Sequence, residues 1–402
     1  MSQSIIEKLL KGAEVEWKTL GTLCQNITTG KLNANAMAEN GLYPFFTCNE
    51  KPYTINQFSF DMEAIIISGN GSNVGHINYY KGRFDAYQRT YIVGNISSMG
   101  NIRYIYYYLK SQLRSYIFRN SKNGSIPYIT LPMLQNFLVP IPPLSVQKEI
   151  VGILDAFTAH TAELTAELTA ELNERKKQYN YYRDKLLTFS DDEVEWKTLG
   201  EVCKFKNGFA FKSSLFKEVG DPIVRITNID GKIVNTDDVK YFQIKDYKED
   251  LTSYTVNKGD IIIAMSGATT GKIGLYNYEY TSYLNQRVGK FIPKQKILNN
   301  KYLYHYLQLK INDIFAIAGG GAQPNLSSNK LMEKFKIPIP PLSVQKEIVR
   351  ILDSFWTLTT SISEGLPREI ELRNKQYEYY RDQLLNFPKP ENDAIKHNST
   401  NR

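Results

Sequence analysis

The chain has 402 residues, is 42% hydrophobic and 12% aromatic, and carries a net charge of +8. This length and apolar content suit two or three domains, each with its own core, and exclude a wholly disordered chain. Three cysteines without C-x-x-C spacing, Cys24, Cys48 and Cys203, argue against a disulfide framework or zinc site and for a reducing, cytoplasmic setting; no apolar run approaches the ~20 residues of a membrane span, and the N-terminus lacks a signal-peptide core.

Taken in order, the chain opens with an amphipathic segment, MSQSIIEKLLKGAEVEW, which runs into VEWKTLG at 15–21. A first mixed body follows. It has strand-like runs at 64–68 and 91–93, turn signals at Gly69-Asn70-Gly71 and Gly124, and an amphipathic closing helix at 103–118. Beyond Pro142-Pro143 there is no further proline up to Phe189, Gly152 is the only glycine, and strong helix formers dominate. This predicts one helix of about 40 residues, roughly 60 Å long, with Ser145 offering its N-cap oxygen. Its middle reads TAELTAELTAEL at 161–172. Each four-residue unit adds about 6 Å and a net turn of about 40°, so Leu164, Leu168 and Leu172 form a slowly drifting stripe suited to a partner helix. Plain coiled-coil filler and a ruler between two bodies are equally open readings of it.

The plan then repeats. VEWKTLG returns at 194–200, PIPPLSVQKEIV at 140–151 returns at 338–349, and RKKQYNYYRDKLL at 175–187 returns as RNKQYEYYRDQLL at 373–385. The first pair is offset by 179 and the others by 198, so the second body is 19 residues longer in its front part. Ile66-Ile67 followed by Ser68-Gly69 aligns with Ile262-Ile263 followed by Ser266-Gly267, Gln88-Arg89 with Gln286-Arg287, and the helix at 103–118 with one at 301–316. Strand-like runs at 223–226 and 260–265 and turns at Asp230-Gly231 and 319–321 complete the second body. In the second spacer Gly365 and Pro367 stand in the TAEL region and should kink the helix, and the polar tail at 389–402 is expected to be disordered. KLL-x-x-x-EVEW at 8–17 resembles the segment at 185–196, so the N-terminus reads as the tail of a spacer with no spacer before it. The expected fold is α+β. Two homologous mixed α/β bodies, 1–143 with a short N-terminal helical segment and 190–341, are joined by two long antiparallel coiled-coil-like helices, 144–189 and 342–388, about a pseudo-twofold axis.

Charge is placed unevenly. Residues 15–139 hold 11 Lys/Arg against 6 Asp/Glu and residues 194–337 hold 21 against 14, whereas 140–193 hold 6 against 10. Two basic bodies with an acidic spacer suit two contacts with a polyanion; ordinary solubility charge is the plainer reading. Ser266, Thr269, Thr270 and Lys272 lie in SGATTGK, which has one residue too few for a Walker loop and Ile273 where Ser or Thr would bind magnesium. Such a loop can meet DNA phosphates through backbone N–H groups or be a tight hairpin. Its counterpart carries Ser68, Asn70 and Asn73. Gln88-Arg89 and Gln286-Arg287 could read adenine and guanine, hold the DNA backbone, or serve the fold. Gln323 and Asn325 follow a closing helix, as edge-loop contacts or structural turns, and Ser125-Ile126-Pro127 is the matching segment of the first body. Four histidines without ligand spacing give no enzyme signature, and Glu16-Trp17-Lys18 and Glu195-Trp196-Lys197 read as structural. Tyr179, Tyr182 and Arg183, with Tyr181 beside them, recur as Tyr377, Tyr380 and Arg381, with Tyr379; such tyrosine clusters favour either a protein interface or helix packing.

Two variable bodies, near-identical spacers opened by PIPPLSVQKEIV, and TAEL repeats in the first of them resemble the specificity subunit of type I restriction-modification enzymes over essentially the whole chain. The resemblance implies that each body is a target recognition domain for one half of a split site in double-stranded DNA. It implies that the spacers set the gap and dock two modification (methyltransferase) subunits, joined by restriction (endonuclease/translocase) subunits. It implies a non-catalytic chain without a cofactor of its own, S-adenosylmethionine, ATP and Mg2+ residing on the partners. A stand-alone DNA-binding regulator and a protein-only scaffold are the rival readings.

Overall fold

The two EWKT repeats become short strands that clasp the entrance of a spacer. Glu16–Thr19 pairs antiparallel with Leu138–Ile141, and Glu195–Thr198 pairs in the same way with Lys336–Ile339. Trp17 stands opposite Pro140 and Trp196 opposite Pro338. Each tryptophan thus meets the one residue of the ladder that, having no N–H, donates no bond to it. The computed structural model describes residues 4–120, 128–319, 324–360 and 364–388. The expected tail at 389–402, Gly124, the 125–127 segment, Gln323 and the glycines at 320 and 321 lie outside them.

The chain divides into two compact units, Met1–Glu167 with Ile370–Arg402, and Leu168–Glu369. Both are mixed α/β and both are built from a body plus spacer helix. In the first unit a six-stranded sheet runs in the order Cys24–Thr29, Thr90–Ile96, Phe60–Ser68, Ile77–Ala86, Tyr43–Phe46, Tyr53–Ile55, antiparallel except where Tyr43–Phe46 runs parallel to Ile77–Ala86. Alternation along Phe60–Ser68 sends Ile65 and Ile67 to the core beneath the helix Ile102–Asn120, and Ala64 and Ile66 to a smaller cluster with Phe46 and Phe84 on the other face. In the second unit the material forms two four-stranded sheets. One has the order Cys203–Asn207, Val288–Pro293, Ile261–Ala264, Ile273–Leu275. The other has Lys240–Phe242, Asp221–Val224, Ser282–Leu284, Thr255–Val256. The closing helix, expected as one piece, is two: Asn300–Leu309 and Ile311–Ile317, with Lys310 between them. The 223–226 run divides as well, because only Asp221–Val224 is strand and Ile226–Asn228 forms a 3-10 turn.

The spacer helix spans Leu144–Leu187, 44 residues, hence about 66 Å. Its cap differs from the expectation. The Pro143 carbonyl accepts from Val146 (2.9 Å) and Gln147 (3.0 Å), so Ser145 lies inside the first turn. A proline whose φ is already helical suits this start better than a serine two residues later. Leu164, Leu168 and Leu172 are half-buried beside exposed Glu163 and Glu167. The second spacer is two helices, Leu342–Thr360 and Leu366–Leu384, with Gly365 at φ +92° between them.

One joint fastens body to spacer in both units. Gln147, fully buried, accepts from the Asn101 N–H (2.8 Å) and donates to the carbonyls of Met99 (2.9 Å) and Pro142 (2.8 Å). Gln345, also fully buried, accepts from Asn299 N–H (2.8 Å) and donates to Ile297 (2.9 Å) and Pro340 (2.8 Å). Tyr104 donates to Pro140 O (2.8 Å) and Tyr302 to Pro338 O (3.1 Å). The repeated SVQKEIV is therefore a structural requirement. Gln147→Leu leaves one N–H and two carbonyls without their partner, and each buried unsatisfied group costs about 1–3 kcal/mol. A loss of at least about 3 kcal/mol is expected, read as a lower urea midpoint, and Gln345→Leu should match it; wild-type midpoints in both variants would refute the joint.

A second clasp differs between the units. Arg103 pairs with Asp155, which also accepts from Tyr107 (2.5 Å). At the equivalent positions Lys301 (2.5 Å) and His305 (3.0 Å) meet Asp353, and His305 Nδ1 lies 3.4 Å from the Tyr179 hydroxyl. Burial alone raises the Asp353 carboxyl, but hydrogen bonds and charges from His305 and Lys301 outweigh it and hold the group below its ordinary value. A lowered carboxyl stabilises the fold above the unfolded value, near 3.9, and that contribution is lost as pH falls through the lower folded value. Urea midpoints of the full chain should therefore fall more steeply with acidification below about pH 5 than those of Asp353→Asn. Parallel curves would contradict this.

The expected spacer-less tail has a structural answer within the first unit. Leu384, Leu385 and Phe387, from the far end of the chain, are buried in its core, with Phe387 against Tyr104 (6.3 Å) and Trp17 Nε1 donating to Pro388 O (3.1 Å). The N-terminal helix Ile5–Leu10 adds Ile6 to the same core. Its start is closed by a capping box of Ser4 and Glu7.

Candidate nucleic-acid interface

Three segments meet at one edge of each body. In the first, Gly69 N–H donates to Arg89 O (2.9 Å), Ile129 N–H donates to Gly69 O (2.8 Å), and Asn70 pairs with Tyr128 as an isolated antiparallel bridge. A Cβ at Gly69 would strike the Arg89 carbonyl and the Tyr91 ring, so position 69 itself takes only glycine. In the second, Met265 N–H donates to Arg287 O (2.8 Å), Leu326 N–H donates to Met265 O (2.7 Å), and Ser266 pairs with Asn325. A fourth segment supports both turns: Gln88 N–H reaches Leu32 O (2.9 Å), and Gly30 and Gly208 each lie against turn backbone that a Cβ would overlap.

These hydrogen bonds correct the loop alignment. Ser68 N–H donates to His76 O and Gly75 N–H to Ser68 O; Ala264 N–H donates to Lys272 O and Gly271 N–H to Ala264 O. Ser68 thus corresponds to Ala264, and Ser266 to Asn70. The shared Ser-Gly letters mislead by two residues, because the strand ladder, not the loop composition, sets the register.

Several expected contacts are interior. Ser68 is buried at a strand end, and Thr270 is buried with its hydroxyl donated to Gly267 O (2.7 Å) and near Pro324 O (3.0 Å). Thr269 donates to Ile226 O (3.2 Å). The N–H groups of Gly267, Thr270, Gly271 and Lys272 all serve internal carbonyls. The SGATTGK segment is accordingly a tight hairpin with Gly267 and Gly271 at positive φ, and most of its amides have no hydrogen left for a phosphate. Lys272 is half-buried over Gly231, and the Ser266 hydroxyl is buried without a partner among the described residues. Asn70 is half-buried and accepts from Cys48 Sγ (3.1 Å). Asn73 lines a cavity of about 400 Å³ with His76, Lys110 and Arg114. Gln88, Arg89, Gln286, Arg287 and Asn325 are exposed. Tyr128, 57% exposed, was not singled out in the sequence; a lone tyrosine in a loop carries no signal until its bridge to Asn70 is seen.

Residues 13–174 and 191–372 each match the type I restriction modification DNA specificity domain. The chain belongs to that family. It is 36% identical to the type I restriction enzyme EcoR124I/EcoR124II specificity subunit of Escherichia coli, over 96% of this chain and 98% of that one. Its fold is similar to a chain in a structure addressing complex assembly and conformational transition of the type I R-M system (TM-score 0.65, 15% identity, 92% of this chain and 97% of that one). It is also similar to the type I restriction-modification S subunit from M. genitalium (TM-score 0.50, 20% identity, 94% and 98%).

Both spacers end in a tyrosine cluster, just beyond the matched residues, and helical phase sorts its members. Tyr179 is buried against His305 and Trp356 (centroids 6.4 and 6.2 Å), with the half-buried Arg183 over its ring (5.8 Å). It packs inside its unit, which corrects its expected place at a partner surface. Tyr377 is half-buried, bonded from Thr158 (3.1 Å), with Arg381 over its ring (5.9 Å). Tyr182 stacks on Phe355 (5.4 Å, 21°) and Tyr380 on Phe157 (5.7 Å, 12°). Within each unit these contacts run antiparallel: 157 and 158 meet 380 and 377, and 355 and 356 meet 182 and 179. Tyr181 and Tyr379, about 100° round the helix from their stacked neighbours, are the most exposed, at 59% and 60%. Tyr181, Tyr182 and Phe355 line a cavity of about 550 Å³ with Arg175, Lys177 and Gln178. No helix among the described residues is long and apolar enough to cross a membrane. Burial pushes the Cys24 and Cys203 thiols up to about 12, so neither is a reactive thiolate.

Proposed function

We propose that this chain is the non-catalytic DNA-specificity subunit of a cytoplasmic type I restriction-modification complex, each specificity domain reading one half of a bipartite site. The carrying observation is the three-segment edge built twice on the same hydrogen bonds with different side chains, Asn70 and Tyr128 in one body, Ser266 and Asn325 in the other. The spacer helix sets the gap between half sites. The exposed spacer-end tyrosines dock two modification subunits, and restriction subunits join that assembly. S-adenosylmethionine, ATP and Mg2+ act on those partners. The name of the Escherichia coli relative, which matches end to end, supports the role.

The test is co-expression of the full chain with its modification subunits, followed by mapping of methylated genomic sites. A two-part motif with a fixed gap is expected, with DNA affinity falling linearly on a log–log plot against salt. Stable specific binding by the chain alone, without methylation, would favour a regulator. Absence of DNA retention at low salt would favour a protein-only scaffold.

A further inference from the structure

Thr90 N–H donates to Tyr87 O (2.8 Å) and Val288 N–H to Asn285 O (2.8 Å). Each bond closes a four-residue β-turn whose two central residues are Gln-Arg, 88–89 in one body and 286–287 in the other. None of the four has positive φ, and a turn of that kind accepts most residues at its centre. All four side chains are exposed and make no hydrogen bond, ion pair or ring contact among the described residues. The fold therefore gives no reason for Gln-Arg, yet both copies hold it. The side chains beside it have changed: Asn70 stands where the other body has Ser266, and Tyr128 where it has Asn325.

Two readers with unlike side chains at one edge do not share a base target. What every duplex offers them in common is its phosphate backbone, which positions a protein without specifying sequence. Resting on the reading of the two bodies as DNA readers, we infer a division of labour at each edge: the Gln-Arg turn grips a phosphate through its arginine, and the exposed member of the flanking pair, Tyr128 or Asn325, reads bases, seated by Asn70 or Ser266 through the bridge that joins them. The turn's backbone carbonyl, Arg89 O or Arg287 O, holds the segment bearing that pair, so the grip and the reading side chains move together.

The experiment uses the full chain assembled with its modification subunits, a duplex bearing the mapped site, and anisotropy titrations from about 50 to about 200 mM salt. Arg89→Gln and Arg287→Gln should each lower the log–log salt slope by about 0.9, weaken cognate and unrelated duplexes alike, and leave the methylated sequence unchanged. Asn70→Ser combined with Tyr128→Asn, both residues the other edge already accommodates, should change the first half site alone and keep the slope. An arginine variant with wild-type slope, or one that relaxes a single base position, overturns the inference, as does an unchanged first half site in the double variant. Failure of the unmodified complex to bind DNA would instead sink the function proposed above.

Discussion

Deletion of one TAEL unit, residues 169–172, is expected to move methylation to sites whose gap is about one base pair shorter, with methylation at the original sites falling at least about tenfold. Four residues remove about 6 Å of helix and a net turn of about 40°. A base pair turns about 35°, from 10–10.5 per turn, and rises about 3.4 Å. The rotation matches one step closely; the residual rise of roughly 2.6 Å is small enough for the duplex to absorb by deformation. Removing three residues instead turns the following helix about 60° the other way. That carries the Leu164–Leu168–Leu172 stripe, half-buried in every unit of the repeat, off its face. The three-residue variant should therefore methylate neither spacing. Mapping methylated sites for both variants checks this, and an unchanged gap in the four-residue deletion refutes the ruler.

Tyr181→Glu combined with Tyr379→Glu is expected to abolish co-purification of the modification subunits. A central interface tyrosine is commonly worth about 2 kcal/mol or more, so two together should weaken assembly by about three orders of magnitude. Both side chains are exposed, and the unfolding free energy from urea titration should change by no more than about 0.5 kcal/mol. Tyr179→Ala supplies the contrast, since it opens a cavity beside His305 and Trp356 and should cost about 3–5 kcal/mol. Full retention of the partners by the double variant would place docking elsewhere.

Repetition and periodicity made much of this molecule legible. The duplicated VEWKTLG, SVQKEIV and QYxYYRD segments revealed two related bodies and two spacers, because each builds a joint that has to be made twice: the Trp–Pro clasp, the buried glutamine, the stacked Tyr–Phe pair. The 44-residue helix followed from composition, since no proline and a single glycine, Gly152, lie between Leu144 and Leu187. Loops were less legible. Ser68-Gly69 and Ser266-Gly267 match as letters, yet hydrogen bonding places Ser266 with Asn70. Composition records which residues a loop holds and is silent on which carbonyl each N–H meets. The tyrosine cluster was visible, but its buried and exposed members separate only once the helix is phased against Trp356 and His305.

The sequence by itself determined the duplication, the rod-like helix, the break at Gly365 and the family, because these depend on local propensity and on repeats along one dimension. Only the tertiary structure decided the strand order, the six-stranded sheet of one body against the paired four-stranded sheets of the other, and the closing of the first unit by Phe387. It also brought the Gln-Arg turn, the loop at 69–70 or 265–266 and the segment at 128–129 or 325–326 together at one edge. Contacts between residues far apart in the chain are selected by the joint packing of whole faces, and no short window of residues contains that information.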